Sequence, residues 1–122
     1  MATNEKVLVN LATGLEDQER VTVAFLVATA ALGAGKTVAM WLTKEAVRLA
    51  TPGYGVGVAC DGCPPLARLM EQFAEGGGEL LACPICINSR GLAETELLPN
   101  ARQVGATPLW EWIGEGATVF SY

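Results

Sequence analysis

The sequence predicts a three-layer α/β/α domain built on a mainly parallel sheet of about five strands. Two observations carry this reading. Short apolar runs alternate with stretches of helical periodicity, the order that parallel strands joined by crossover helices produce. Several of the strand segments are apolar nearly throughout, as strands covered on both faces are. With 122 residues and a hydrophobic share of 51%, the chain suits a single domain over residues 1–122. A core of that size forms without metal or disulfide support.

The first strand is Val7-Leu8-Val9-Asn10-Leu11, bounded by polar residues. The acidic connection TGLEDQER leads into a helix from about Gln18 to Leu32, since acidic side chains favour a helix N-terminus. Val21, Val23, Ala24, Phe25, Leu26, Val27, Ala28, Ala30, Ala31 and Leu32 leave that helix almost no polar face. A sheet in the same chain covers only one side of it, so the other side is expected to meet another subunit. Thr37 to Thr43 is the second strand and Lys44 to Ala50 a short helix. Leu66, Leu69, Met70 and Phe73 mark the face of the next helix, with Pro64 and Pro65 before it and Gly76 after it. Glu79 to Cys83 is the third strand, followed by a helical stretch from about Pro84 to Leu98. A short strand near Gln103 and Val104, a helix over Pro108 to Ile113 with Thr107 as its N-cap, and a last strand at Ala117 to Ser121 complete the order. No internal repeat, linker or low-complexity tract interrupts it.

Composition narrows the chemistry. The net charge is −5, from eight Lys plus Arg against thirteen Asp plus Glu. That argues against nucleic acid or an anionic membrane as partner, because binding phosphate arrays needs a basic surface. The opening MATNEKVLVNL carries no signal-peptide or membrane-span pattern, which places the protein in the cytoplasm. Thiols are kept reduced there, so a disulfide is expected to be transient and functional. The chain contains no histidine, which removes imidazole bases, His triads and His metal ligands.

Two glycine-rich stretches imitate phosphate loops. Gly33-Ala34-Gly35-Lys36-Thr37 ends like a Walker A loop, but Ala30 stands where the first glycine belongs and the segment runs from helix into strand. Gly53-Tyr54-Gly55-Val56-Gly57 lacks dinucleotide spacing and reads as a loop over the active edge of the sheet.

All four cysteines fall in CDGCPPLARLMEQFAEGGGELLACPIC, as two Cys-x-x-Cys pairs with nineteen residues between them. This spacing is the one tetrahedral thiolate sites use, so Cys60, Cys63, Cys83 and Cys86 are a candidate zinc or iron–sulfur ligand set. Cys60 and Cys63 precede a helix, and Cys83 and Cys86 follow a strand, positions that share one edge of a parallel sheet. Against metal, a helix of about ten residues separates the pairs, unlike a small zinc ribbon. Cys83-Pro84-Ile85-Cys86 sits at a strand-to-helix junction, where free backbone N–H groups favour a thiolate, and Arg90 lies one turn further on. The plain alternative is a buried, inert thiol, a reading that suits Cys83 at the end of an apolar strand better than Cys86.

At CPICINSRGL the chain resembles the DsrE/DsrF-like proteins, which include subunits of bacterial sulfur-relay complexes. The resemblance extends from KVLVNLATG through ERVTVAFLVATAALGAGKTVAMWLTKEAVRLA to ATVFSY. It implies a three-layer α/β domain assembling with itself, as a trimer or hexamer. It also implies Cys86 as the residue that accepts and passes on persulfide sulfur, exchanging it with donor and acceptor proteins, with Arg90 and Gly91 matching the motif's Arg-Gly. Cys60-Asp61-Gly62-Cys63 is an addition to that motif.

Three chemistries therefore compete: a carrier on Cys86 with no resident cofactor, a dithiol oxidoreductase on Cys83 and Cys86, and a four-thiolate metal site. Asp61 beside Cys60 and Cys63 disfavours thiolates there, so Cys86 is expected to be the thiol that a limiting reagent attacks first.

Overall fold

The computed structural model describes residues 5–122. Five strands form one sheet: β1 (Lys6–Leu11), β2 (Thr37–Leu42), β3 (Glu79–Ala82), β4 (Ala101–Gln103) and β5 (Thr118–Ser121). They lie in the order β4-β3-β2-β1-β5, and every neighbouring pair is parallel. Four helices connect them: α1 (Gln18–Gly33), α2 (Leu66–Glu75), α3 (Pro84–Ser89) and α4 (Ala106–Ile113), with 3-10 segments at Leu15–Asp17 and Lys44–Ala50.

The strand order accounts for the layers. From β1 to β4 each connection steps in the same direction, and right-handed crossovers then place their helices on one face. The return from β4 to β5 reverses direction and puts α4 on the other. The core divides accordingly. Val7, Val9, Leu11, Val38, Met40, Leu42 and Leu80 pack under α1, α2 and the 3-10 segment Lys44–Ala50. Leu8, Ala39 and Leu81 meet Leu109 of α4 on the opposite face. Alternate residues of β1, β2 and β3 thus feed two cores, which is why these strands read as continuous apolar runs, whereas β5 at the sheet edge is exposed throughout.

Helix α1 begins where Asp17 accepts the Arg20 N–H at 3.1 Å and stops before Gly35, whose φ of 86° suits glycine. It buries Val21, Thr22, Ala24, Phe25 and Ala28, and Phe25 meets Phe73 of α2 edge to face at 5.8 Å. Val23 and Leu26 remain 39% and 37% exposed. The sheet and α2 cover one side of this largely apolar helix and leave the side that carries Val23 and Leu26 open.

Two expectations change. The segment after β3 is helical only to Ser89, because Gly91 takes a left-handed conformation (φ 69°) and closes the helix. The helix near the chain's end starts at Ala106 with Gly105 as its N-cap and no side-chain cap, so Thr107 lies inside the first turn. Among the described residues no helix is long and apolar enough to cross a membrane.

Candidate functional site

Parallel strands deliver their C-terminal ends to one edge, and four connecting segments meet that edge: Thr13-Gly14 after β1, Thr43-Lys44-Glu45 after β2, Cys83-Pro84-Ile85-Cys86 after β3, and the loop that precedes α2. Cys83 continues β3, its N–H bonded to the Leu42 carbonyl at 2.9 Å, and its side chain is buried. Pro84 opens α3, where a missing N–H costs nothing. Within this helix Ile87 is fully buried, Ile85 is 78% exposed, and Cys86 lies between them as a half-buried free thiol touching the core. Of the four amides that a helix start leaves without an intrahelical acceptor, Cys83 gives its own to Leu42 and Pro84 has none, which leaves those of Ile85 and Cys86 in the turn that carries the thiol.

The Arg-Gly pair has a structural explanation. The Gly91 N–H bonds the Asn88 carbonyl at 3.1 Å and the Leu92 N–H bonds the Ile87 carbonyl at 3.0 Å, the paired bonds of a Schellman ending. Leu92 packs on the same core as Ile87, which is the apolar contact that accompanies the motif. Arg90 is the C-cap residue. Its Nη1 donates to the Cys86 carbonyl at 3.4 Å and to Ser89 Oγ at 3.1 Å, while its Nε donates to a Glu45 carboxylate oxygen. The positive charge that the sequence offered to the thiol is therefore held in an ion pair.

Glu45 is the hub of this edge. It also accepts from Arg48 Nε at 2.9 Å. The Arg90 guanidinium, and after it Arg48, holds the Glu45 carboxyl below the 4.5 usual for glutamate. Lys44 reaches this position with a φ of 54°, the one non-glycine residue with a left-handed backbone among those described, a conformation associated with functional edges. Gly14 approaches from β1: a Cβ there would stand 2.8 Å from the Glu45 Cβ and 2.9 Å from its carbonyl oxygen. Glycine lets the two connections touch.

The other cysteine pair is separate. Cys60 and Cys63 form a disulfide across a tight turn in which the Cys63 N–H bonds the Cys60 carbonyl at 3.0 Å and Gly62 has a φ of 77°. The expectation of four free thiols thus becomes two free thiols and one disulfide. Among the described residues no group of three or more His, Cys, Asp or Glu side chains is gathered closely enough to hold a metal ion. The structure brings Arg90 to the Cys86 carbonyl, and among the described residues it does not gather the two cysteine pairs into one site.

Sequence reasoning missed Gly14, Lys44 and Glu45. A charged pair immediately after an apolar strand, at the edge where parallel sheets carry function, was the available signal. Its partner, Arg90, lies forty-five positions later, a separation only the fold closes.

The chain matches the model of the DsrE/DsrF-like family over residues 5–122. It is 30% identical over 105 residues to the uncharacterized protein MK0008 of Methanopyrus kandleri, covering 86% of this chain and 84% of that one. Among solved structures, the YchN protein of E. coli superposes with a TM-score of 0.80 at 16% identity, over 98% of this chain and 100% of the other. MTH1491 of Methanobacterium thermoautotrophicum, a protein of unknown function, gives 0.68 at 12% identity, over 98% of this chain and 100% of that one. At these identities the structural likenesses establish the fold alone.

Proposed function

This chain belongs to the DsrE/DsrF-like family, and from that membership together with the site geometry we propose that it is a thiol-based sulfur carrier acting through Cys86. The observation that carries this reading is the contrast among the thiols: Cys86 is free and half-exposed in a first helical turn, Cys83 is buried, and Cys60 and Cys63 are joined.

The Cys86 thiolate attacks the outer sulfur of a donor persulfide, R–S–SH. The donor's sulfur–sulfur bond breaks, Cys86–S–SH forms and RS⁻ leaves. An acceptor thiolate then attacks the outer sulfur of Cys86–S–SH and restores the Cys86 thiolate. Neither step needs a base or a metal. First-turn backbone donors stabilise the anionic sulfur, and Arg90 positions it by tying the end of α3 to Glu45. Ile85, exposed beside the thiol, offers an apolar contact to the donor or acceptor protein.

Self-association as a trimer or hexamer belongs to the same proposal. It is supported by the open apolar side of α1, where Val23 and Leu26 are exposed beside Val27 and Ala30. A cytoplasmic setting, where sulfane donors and reduced acceptor thiols coexist, completes it.

The test is intact-mass and peptide analysis after treatment with a persulfide donor. One added sulfur atom should map to Cys86, and the Cys86→Ser variant should remain folded and unloaded. Sulfur mapping mainly to Cys83 would overturn the assignment. A Cys83–Cys86 disulfide with no added sulfur would replace the carrier by a dithiol oxidoreductase.

A further inference from the structure

The carrier chemistry above leaves Cys60 and Cys63 unused, and three observations bear on what they do. Their turn is prearranged by sequence: Gly62 supplies the left-handed residue, the Cys63 N–H bonds the Cys60 carbonyl at 3.0 Å, and the two Cα atoms stand 5.2 Å apart. That spacing lies within the range disulfides use, so reduced and oxidised forms fit the same backbone turn.

The cross-link also does little for the fold. It joins residues three apart, the kind of short loop whose closure removes least entropy from the unfolded chain. Neither sulfur belongs to the side chains packed on the two cores, and Asp61, Gly62, Pro64 and Pro65 around them are exposed. The loop is anchored on both flanks without the disulfide, because Val58 is buried and its carbonyl accepts the Leu66 N–H at 3.0 Å.

Position is the third observation. Helix α2 ends near the start of β3, so its beginning at Leu66 lies at the C-terminal edge of the sheet, the edge that carries Cys86.

We propose that the Cys60-Asp61-Gly62-Cys63 turn is a second, redox-active site that reduces sulfane sulfur to sulfide and is itself oxidised to the disulfide. One thiolate of the pair takes the outer sulfur of a persulfide R–S–SH, releasing RS⁻. The second thiolate then attacks the cysteine sulfur of the new Cys–S–SH, closing the disulfide and expelling HS⁻. In sum, R–S–SH and two cysteine thiols give R–SH, the Cys60–Cys63 disulfide and hydrogen sulfide. The two electrons gained by the sulfane sulfur come from the two thiols. Exchange with two small-molecule thiols, which become a disulfide, resets the pair. The persulfide is either that of Cys86, a source that rests on the carrier reading, or a low-molecular-weight persulfide in solution, a source that does not.

The experiment starts from fully reduced protein, freed of reductant and kept without oxygen, to which glutathione persulfide is added. Wild-type protein should release sulfide while the peptide containing Cys60 and Cys63 loses two hydrogens. The Cys60→Ser/Cys63→Ser double variant should release at least tenfold less and, on the carrier reading, retain its sulfur on Cys86. In the Cys86→Ser variant, continued release assigns the solution persulfide as substrate, and loss of release assigns the Cys86 persulfide. Either result supports the proposal. Circular dichroism and the Cys63→Ser single variant, which should hold sulfur on Cys60 without closing a disulfide, guard against a folding artefact. The proposal is overturned if the reduced wild type stays a dithiol and releases no sulfide, or if the double variant releases sulfide as fast as wild type. Failure of Cys86 to load in the double variant would instead count against the carrier reading alone.

Discussion

Replacing Gly14 by alanine tests whether the β1 and β2 connections touch as described. The new Cβ would lie 2.8 Å from the Glu45 Cβ, 2.9 Å from its carbonyl oxygen and 3.0 Å from its carbonyl carbon. Carbon atoms in contact prefer about 3.5–4.0 Å, so one connection must retreat by roughly 0.7 Å. Two of the three atoms are backbone, and the segment behind them is fixed, since Ala46, Val47, Leu49 and Ala50 are fully buried. A side-chain rotation cannot absorb the clash. Overpacking of this kind costs about 1–3 kcal/mol, which for a domain of this size lowers Tm by roughly 4–12 °C. Gly33→Ala is the matched control: nothing lies within 4 Å of its added Cβ, and alanine favours the helix by up to about 1 kcal/mol. Urea denaturation of both variants at one protein concentration, with m unchanged, reads the difference. Displacing Glu45 should also loosen its hold on Arg90 and alter the alkylation rate of Cys86. If Gly14→Ala matches wild type within about 0.5 kcal/mol, the two connections are not in contact and the hub built on Glu45 is wrong.

Three further outcomes are expected. Because the folded-state pKa of Glu45 is depressed, its ion pairs contribute stability above the ordinary carboxylate range, and that contribution is lost as pH falls through 4.5 and below; Glu45→Gln should therefore show a flatter acid limb in urea midpoints measured against pH. Lys44→Gly should raise stability by up to about 1 kcal/mol by relieving the left-handed backbone, whereas Lys44→Ala should not, and equal midpoints for the two variants would contradict the strain. If the proposed self-association runs through the open side of α1, a glutamate at Leu26 should turn the oligomer into a monomer by light scattering without lowering helix content, and an oligomer of unchanged mass, or a wild type that is already monomeric, would refute that interface.

The fold was legible because its signals are local and repeated. Apolar strand segments, the Leu66–Phe73 face of α2 and the featureless apolar surface of α1 each follow from periodicity over a few residues. Errors came where a single residue overrides the pattern. Residues Pro84 to Leu98 read as one helical stretch, yet Gly91 closes α3 after six residues. Thr107 is a good capping type, yet the helix starts one residue before it.

The site was legible in its parts and not in its wiring. Cys86 stands out from Cys83 by position in the motif alone, since one ends an apolar strand and the other enters a helix. What Arg90 does is a different matter. In sequence it is one helical turn from Cys86 and reads as a charge for the thiolate. In the fold its guanidinium is shared between the Cys86 carbonyl and Glu45, so its effect on the sulfur passes through the position of α3 more than through an unopposed field. This distinction has a measurable form. An unpaired cation one turn away would change the alkylation rate at moderate pH several-fold when removed, and would be strongly screened by salt. A positioning residue leaves a smaller, salt-insensitive change, and Arg90→Lys, which keeps the charge but loses the guanidinium's several donors, should behave like Arg90→Ala. If the lysine variant instead retains the wild-type rate and salt dependence, charge is what Arg90 contributes, and the ion pair with Glu45 is incidental to the thiol.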